Sequence, residues 1–257
     1  CCWIWNMSSL DKALRLLSLL DEATPLLRVT EVAQAQGLPK SSVSRLLASL
    51  FQAGLVERDG ERQGFRAGPE LFRLGSLYRA RTPPEERVDE ALRKMVARFP
   101  ATAYVGVLRG IDLVVLRLHE GSYPVRFIQQ PGSVIPACGT AVGRALLARL
   151  PDAALRAALP PHIALPARAV DMSRAAMLRE LSRARAQGFA AYDNPDLGIA
   201  AIGVAVRLAP GRDLGFALCL GREQLGPAMR TEVVAALQET ARSIGLLCGD
   251  PVWGARA

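Results

Sequence analysis

A group of hydrogen-bonding side chains occupies one short stretch of the chain. Its members are Lys40, Ser41, Ser42, Ser44, Arg45 and Ser49. Arginine can form two parallel hydrogen bonds to guanine in the DNA major groove, whereas serine binds phosphate oxygens or either type of base edge. We therefore expect Arg45 to contact a base and the serines to hold phosphates or accept either base. Ser41 has an alternative, structural role as the cap of a helix.

The elements around this stretch have the pattern of a helix-turn-helix. Thr30 is the expected N-cap of a first short helix, Gly37 is its expected end, and Pro39 turns the chain into a second helix. The apolar positions of that second helix are Val43, Leu46, Leu47 and Leu50. Two short helices joined by a glycine-containing turn predict a helix-turn-helix whose second helix enters a DNA major groove.

A polar loop follows the second helix. Leu55-Val56 and Gly64-Phe65-Arg66 flank an Asp-Gly pair, which predicts a small hairpin, the wing of a winged helix-turn-helix over residues 8–68. Residues 40–81 contain eight Lys/Arg against four Asp/Glu. We expect Arg58 and Arg62 to neutralise phosphates, which makes DNA affinity salt-dependent. The alternative is that each arginine is an ordinary solvated side chain.

A second group of residues with possible chemistry surrounds Cys138. The small residues Gly139-Thr140-Ala141 begin a predicted helix, so backbone amides there could bind an anion such as a carboxylate. A thiol at a helix start can also have a lowered pKa. The two histidines, His119 and His162, have no motif that ties them to Cys138, so no enzyme activity is expected. The sequence has neither zinc-ligand spacing nor a phosphate-binding P-loop, so no metal and no cofactor is expected.

Composition agrees with two globular domains. The chain has 257 residues, 50% of them hydrophobic, and a formal charge of +8, which favours an acidic partner such as nucleic acid. No apolar run approaches the roughly 20 residues of a membrane helix, so no membrane partner is expected. The five cysteines are an odd number, and Cys138, Cys219 and Cys248, each among apolar neighbours, are interpreted as buried free thiols, which favours a cytoplasmic location. The first six residues, CCWIWN, lack the features of a signal peptide and are interpreted as an addition before a natural start at Met7.

Further periodic segments complete the predicted organisation. An amphipathic helix is expected at 9–20, ended by Pro25, and a linker helix at 69–83, ended by the Pro83-Pro84 pair. From residue 84 to 250 the chain is expected to form an α+β domain with one antiparallel sheet. Its predicted strands are Thr102–Leu108, Asp112–Glu120, Tyr123–Gln129, Gly198–Arg207 and Leu214–Leu220. Its predicted helices are near 85–99, 151–159, 173–187 and 226–247, with one more that begins at Gly139.

In this order the motifs resemble IclR-type transcriptional regulators over about residues 9–248. The matching segments are LDKALRLLSLL, LPKSSVSRLLASLFQAGLVER, CGTAVGRALLA and QGFAAYDNPDLGIAAIGVAVR. The resemblance implies a winged helix-turn-helix domain joined by a helix to a GAF-like effector-binding domain. It also implies homodimers or dimers of dimers that bind double-stranded operator DNA and repress or activate nearby genes.

The resemblance further implies an effector pocket. Its candidate residues are Gly139, Thr140, Ala141, Val142, Tyr192, Asp193, Ala201, Leu218 and Leu220. Tyr192 and Asp193 are expected on a loop. The wall positions are apolar, and Asn194 and Pro195 stand where acids are frequent in the family, which favours a larger apolar or aromatic acid as effector. The alternative for each wall residue is plain core packing. The rival function is a scaffold protein whose winged helix contacts another protein.

Overall fold

The computed structural model describes residues 8–21, 24–79, 82–121, 129–165 and 172–255. The chain divides into two compact units, Cys1–Arg81 and Thr82–Ala257. Among the described residues, no helix is long and apolar enough to cross a membrane. The expectations for residues 1–6, for the end of the linker helix at 80–81 and for most of the strand at 123–129 fall outside the described ranges.

The first unit is a winged helix-turn-helix. Its elements are α1 (Ser9–Leu17), α2 (Val29–Gln36), α3 (Lys40–Gln52), β1 (Val56–Asp59), β2 (Gly64–Ala67) and α4 (Pro69–Arg79). The core contains Leu16, Leu27, Val43, Leu47 and Leu50, which are all buried. Gly37 has the left-handed backbone that ends α2, as the sequence predicted, because glycine adopts φ = 61° without a Cβ clash.

Two predicted helix limits in this unit are wrong, and so is the alternative role of Ser41 as a helix cap. Helix α1 ends at Leu17, well before Pro25, because the amides of Leu19 and Leu20 bond to carbonyls three residues back and not four, which tightens the chain out of the α-helix. Thr30 is not the N-cap of α2. The backbone of Leu27 exchanges two hydrogen bonds with that of Phe65, the chain stays extended as far as Arg28, and Arg28 is the N-cap. Helix α3 has Pro39 as its N-cap, so Ser41 lies inside the first turn.

The second unit is a three-layer α+β domain. Its elements are α5 (Pro83–Arg98), β3 (Thr102–Arg109), β4 (Asp112–His119), β5 (Val134–Pro136), a 3-10 turn at Ala137–Gly139, α6 (Ala141–Leu147), α7 (Asp152–Ala158), β6 (His162–Ile163), β7 (Met172–Ser173), α8 (Arg174–Gln187), β8 (Ala190–Asn194), β9 (Ile199–Ala209), β10 (Arg212–Gly221), α9 (Pro227–Cys248) and α10 (Pro251–Gly254). Six strands form one antiparallel sheet in the order β5-β4-β3-β10-β9-β8. Helices α5, α9 and α10 pack on one face of this sheet and α6 to α8 on the other.

Two predictions for this unit need correction. Pro83 and Pro84 follow the linker helix α4, which ends at Arg79, but α5 begins at Pro83 and not at residue 85, so both prolines lie in its first turn, where proline loses no helix hydrogen bond. Tyr192 and Asp193 lie on the edge strand β8 and not on a loop, because residues 190–194 pair in register with β9.

Candidate nucleic-acid interface and ligand cavity

Helix α3 presents a polar stripe to solvent. Its exposed side chains at helical spacing are Ser41, Ser44, Arg45 and Gln52, with the small Ala48 between them, and Lys40 is also exposed at its start. Ser42 is half-buried, and the Ser49 hydroxyl donates to the Arg45 carbonyl at 3.1 Å. The sequence prediction therefore included most of this stripe but missed Ala48 and Gln52, which the same i, i+4 spacing could have indicated.

The wing holds its arginines in different ways. Arg66 pairs with Glu57 across the two strands at 2.7 Å. The Arg58 guanidinium lies 5.6 and 5.8 Å from the ring centroids of Phe51 and Phe65, so it also ties the wing to the end of α3. Arg62 sits at the exposed wing tip, where its amide donates to the Asp59 carboxylate. Of these arginines, Arg62 has the geometry best suited to a phosphate contact.

The second unit contains a cavity between the sheet and the start of α6. The cavity has a volume of about 50 Å3 and opens to solvent at its mouth. Six of the nine predicted effector residues line it: Gly139, Thr140, Ala141, Val142, Tyr192 and Ala201. Side chains that the sequence prediction missed also line it, among them Tyr104, Leu113, Val115, Ala217 and Cys219. None of the described lining residues is Asp, Glu, Lys, Arg or His.

Leu218 and Leu220 were predicted as cavity wall, and that placement is wrong. Successive residues of a strand point to opposite faces of the sheet, and both leucines point to the face covered by α5 and α9. Ala217 and Cys219, one residue away, line the cavity instead. Asp193 also lies away from it, exposed and paired with Arg222 at 2.9 Å.

Small residues allow α6 to approach the sheet closely. A Cβ on Gly203 would lie 2.7 Å from the carbonyl carbon and oxygen of Ala141, and one on Gly215 would lie 2.8 Å from side-chain atoms of Val142 and Leu146. Thr140 caps α6 by accepting the Gly143 amide at 2.9 Å. Ala141 and Val142, whose amides precede the first intrahelical bond, line the cavity.

Tyr104 and Tyr192 flank the cavity from β3 and β8. These strands are separated by β10 and β9, so the tyrosines stand three strand spacings apart, roughly 14 Å. Burial raises the pKa of Tyr104 to about 12. The Tyr192 hydroxyl accepts a hydrogen bond from the buried Asn194 at 3.0 Å, which explains why an amide fits this position.

Behind Tyr192 lies Arg144, a buried residue that the sequence prediction did not single out. Its guanidinium is 5.1 Å from the Tyr192 ring centroid. It donates to the Cys138 carbonyl at 2.7 Å and to the Ala191 carbonyl at 3.2 Å. Arg144 thereby ties the segment before α6 to β8 and fixes one wall of the cavity.

The thiols in this region are unsuited to nucleophilic catalysis. Burial raises the pKa of Cys138 to about 11 and that of Cys219 to about 12, so the proposed lowering at a helix start does not occur. His119 contacts the buried Asp89 at 3.1 Å, and His162 lies in the short strand β6. Among the described residues, no group of three or more His, Cys, Asp or Glu side chains could hold a metal ion.

Comparisons with known proteins agree for both units. Residues 9–60 match the family model of the IclR helix-turn-helix domain, and residues 83–246 match that of the bacterial transcriptional regulator IclR C-terminal domain. Over 228 residues the chain is 31% identical to the HTH-type transcriptional regulator BhcR of Paracoccus denitrificans. That match covers 88% of this chain and 79% of the relative.

Solved structures show the same fold. An ICLR-type transcriptional regulator from Silicibacter sp. TM1040 superposes with a TM-score of 0.83 at 23% identity, over 94% of this chain and 96% of that one. An IclR homolog from Microbacterium hydrocarbonoxydans, in complex with 4-hydroxybenzoate, gives a TM-score of 0.69 at 19% identity, over 93% and 98% of the two chains. The predicted combination of a winged helix-turn-helix and an α+β domain with an antiparallel sheet is confirmed.

Proposed function

Because the chain belongs to the IclR family of transcriptional regulators, we propose that it binds operator DNA with an affinity set by an organic or aromatic acid in the second-unit cavity. Members of this family bind DNA and small-molecule effectors, and the relatives are regulators and not enzymes. In this proposal residues 8–68 form the DNA-binding domain, 69–83 the linker and 84–250 the effector domain. The cavity bordered by the start of α6 is the observation that carries it.

The proposed effector is planar and mostly apolar, with one carboxylate. Most of the side chains that line the cavity are aliphatic, two are tyrosines, and Gln129 and Thr140 are its uncharged polar members. An apolar ring would therefore meet mainly apolar side chains. The carboxylate would lie at the amides of Ala141 and Val142, since a helix start favours an anion. The homolog bound to 4-hydroxybenzoate supplies a suitable first probe.

On DNA, Arg45 is the proposed base reader and Arg62 the proposed phosphate contact. Lys40, Ser41, Ser44 and Ser49, with Ser42 and Arg58 at the margins, form the rest of the proposed interface. Arg45 projects from the outward stripe of α3, where a bidentate contact to guanine is worth about 1–3 kcal/mol of discrimination. A wing-tip arginine adds affinity without sequence preference.

The proposed assembly is a homodimer or a dimer of dimers. Helix α4 exposes Leu74, Leu77 and Tyr78 at i, i+3, i+4 spacing, and α1 exposes Leu10 and Leu14 one turn apart. Apolar stripes of this kind are typical of helix pairing. A second copy is the proposed cover, because two-fold symmetric dimers match two operator half-sites. Sedimentation of the protein alone should give a dimer or tetramer mass.

Selection of DNA from a random pool tests the DNA part of the proposal. We expect enrichment of an inverted repeat, bound with an affinity that falls steeply with salt because phosphate contacts release counterions. A scaffold protein whose winged helix contacts other proteins would enrich no sequence, and that outcome would contradict the proposal.

A thermal-shift screen of aromatic and aliphatic carboxylates, starting with 4-hydroxybenzoate, tests the effector part. A ligand at one hundred times its Kd stabilises the folded state by about 2.7 kcal/mol, or roughly 5–10 °C for a protein of this size. Cys219→Leu fills the cavity and should abolish the shift, whereas Cys248→Leu makes the same change away from the cavity and should retain it. A shift that survives Cys219→Leu would place the ligand elsewhere.

A further inference from the structure

Glu85 is a buried acid close to the point where the chain passes from one unit to the other. The second unit begins at Thr82, and Glu85 lies in the first turn of α5 with only 3% of its surface exposed. One carboxylate oxygen accepts the Thr82 amide at 3.1 Å, and the other accepts a guanidinium proton of Arg212 at 2.7 Å. A glutamate that only capped the helix could remain exposed. Its second bond ties the start of α5 to the start of β10.

Arg212 is followed by Asp213, and the pairing of β9 with β10 shifts register between these two residues. Such a bulge bends the strand and redirects its side chains. Arg212 pairs with Glu85, while Asp213 accepts hydrogen bonds from Arg149 at 3.2 Å and from Arg207 at 2.8 Å. The bulge therefore joins two ion-pair systems within two consecutive residues.

Arg149 leads from the bulge to the cavity. It follows α6 by two residues, its side chain is 6% exposed, and it also binds the buried Asp250 at 2.8 Å. The first residue of α6, Ala141, lines the cavity at the other end of the same short helix. A chain of contacts thus runs from the cavity along α6 to Arg149, to the bulge, and through Arg212 to Glu85 and the Thr82 amide.

Close packing makes this chain sensitive to small displacements. The Ala141 backbone rests directly against Gly203, so at this point α6 cannot move closer to β9. A ligand that moves the start of α6 must therefore move its far end or the strands beneath it. Packed elements respond to such displacements by switching between discrete arrangements, because they deform little.

We propose that the Glu85–Arg212 pair transmits cavity occupancy to the first turn of α5, and so to the connection with the DNA-binding unit. Glu85 is a positioning residue in this scheme. The inference rests on the proposed function, in which the cavity holds the effector and the first unit binds DNA. By thermodynamic reciprocity, DNA binding must then alter the cavity wall through the same pair.

Reciprocity permits a test that needs no identified effector. Hydrogen exchange of the full chain is measured with and without the DNA sequence selected from the random pool. In the wild type, DNA should protect α3 and should change exchange in peptides covering 139–143 and 209–213 by about fivefold or more, the lower range of typical allosteric coupling. In Glu85→Gln and Arg212→Gln, DNA should still protect α3, but the change in hydrogen exchange at 139–143 and 209–213 should be lost.

Two further variants separate coupling from structural support. Glu90→Gln disrupts the exposed pair of Glu90 with Lys94 on the same helix, so it should behave as the wild type. Arg212→Lys retains the positive charge, so it should show the DNA-dependent change in hydrogen exchange at 139–143 and 209–213 that Arg212→Gln lacks. Arg212 is 42% exposed, so its variants should fold even if Glu85→Gln does not.

The outcomes are distinguishable. If Arg212→Gln responds to DNA as Glu90→Gln does, or if the wild type shows no change at 139–143 and 209–213, the proposal is overturned while DNA binding stands. If DNA leaves α3 unprotected in the wild type, the proposed function fails as well.

Discussion

Replacing Gly203 with alanine should destabilise the second unit. The new Cβ would lie 2.7 Å from the backbone of Ala141, whereas ordinary contacts begin at 3.4 Å. The start of α6 must therefore move by about 0.7 Å, and its backbone cannot rotate away. Overpacking of this kind costs about 1–3 kcal/mol. For a unit of this size that corresponds to a fall in Tm of roughly 2–12 °C.

Two other glycines provide matched controls. At Gly215 the new Cβ would meet the side chains of Val142 and Leu146, which can adjust, so the loss should be smaller. At Gly254 it would meet nothing, and alanine in that short helix should be neutral or slightly stabilising. Differential scanning calorimetry of the three alanine variants measures their melting temperatures and so gives the order of destabilisation. If Gly203→Ala melted at the same temperature as Gly254→Ala, the close packing of α6 on the sheet would be refuted.

The other predictions concern DNA, the sheet faces and pH. Arg45→Ala should relax sequence selectivity in binding assays. Arg62→Ala should weaken the affinity for all DNA sequences about equally and reduce the slope of log affinity against log salt concentration by about 0.9. Identical behaviour of the two variants would refute the division into base reader and phosphate contact. Leu218→Ala should lower the free energy of unfolding in urea by about 2–5 kcal/mol without changing ligand affinity, because Leu218 packs on the face of the sheet opposite the cavity. A weaker ligand affinity, measured where the variant is fully folded, would contradict this. Burial alone would raise the pKa of Asp250, but hydrogen bonds from Arg149 and two backbone amides hold it below its ordinary 3.8. The stability that ionised Asp250 contributes should therefore be present above about pH 4 and be lost as the pH falls through the lowered pKa. Asp250→Asn should be less stable than the wild type at pH 7, and this difference in stability should shrink toward pH 3. A difference that widened toward pH 3 would contradict the prediction.

Local signals in the sequence predicted most helices. Gly37 and Gly188 end α2 and α8 with left-handed backbone, and the apolar periodicity of α3 indicated which residues are buried. These features depend on neighbours within one turn, so the chain itself contains the information. Helix α1 shows the limit: Leu19 and Leu20 continue its pattern, yet the helix ends at Leu17.

The face of β10 could not be predicted in the same way. Both faces of this central strand are buried, so apolar residues occur at consecutive positions and alternation does not distinguish the cavity side. The assignment of Leu218 to the cavity in place of Ala217 is an error of one residue. Because adjacent residues of a strand point to opposite faces of the sheet, this error places the side chain on the wrong face. Strand β8, with the sequence AAYDN, has no strand-like alternation and is identified only by its pairing with β9.

The buried polar residues were also beyond prediction. Arg144, Glu85 and Asp250 bind partners that lie 47, 127 and 101 residues away in sequence. No spacing rule connects such distant positions. Each of these contacts depends on the assembled sheet, and together they fix the cavity wall, the start of α5 and the end of α9.

The most direct test of the central claim is a fluorescence anisotropy titration of the selected DNA with and without a ligand that raises the Tm. We predict that the ligand changes the Kd for DNA by about fivefold or more, and that DNA changes the Kd for the ligand by the same factor. Equal DNA affinity in the presence and absence of a ligand that binds in the cavity would contradict it.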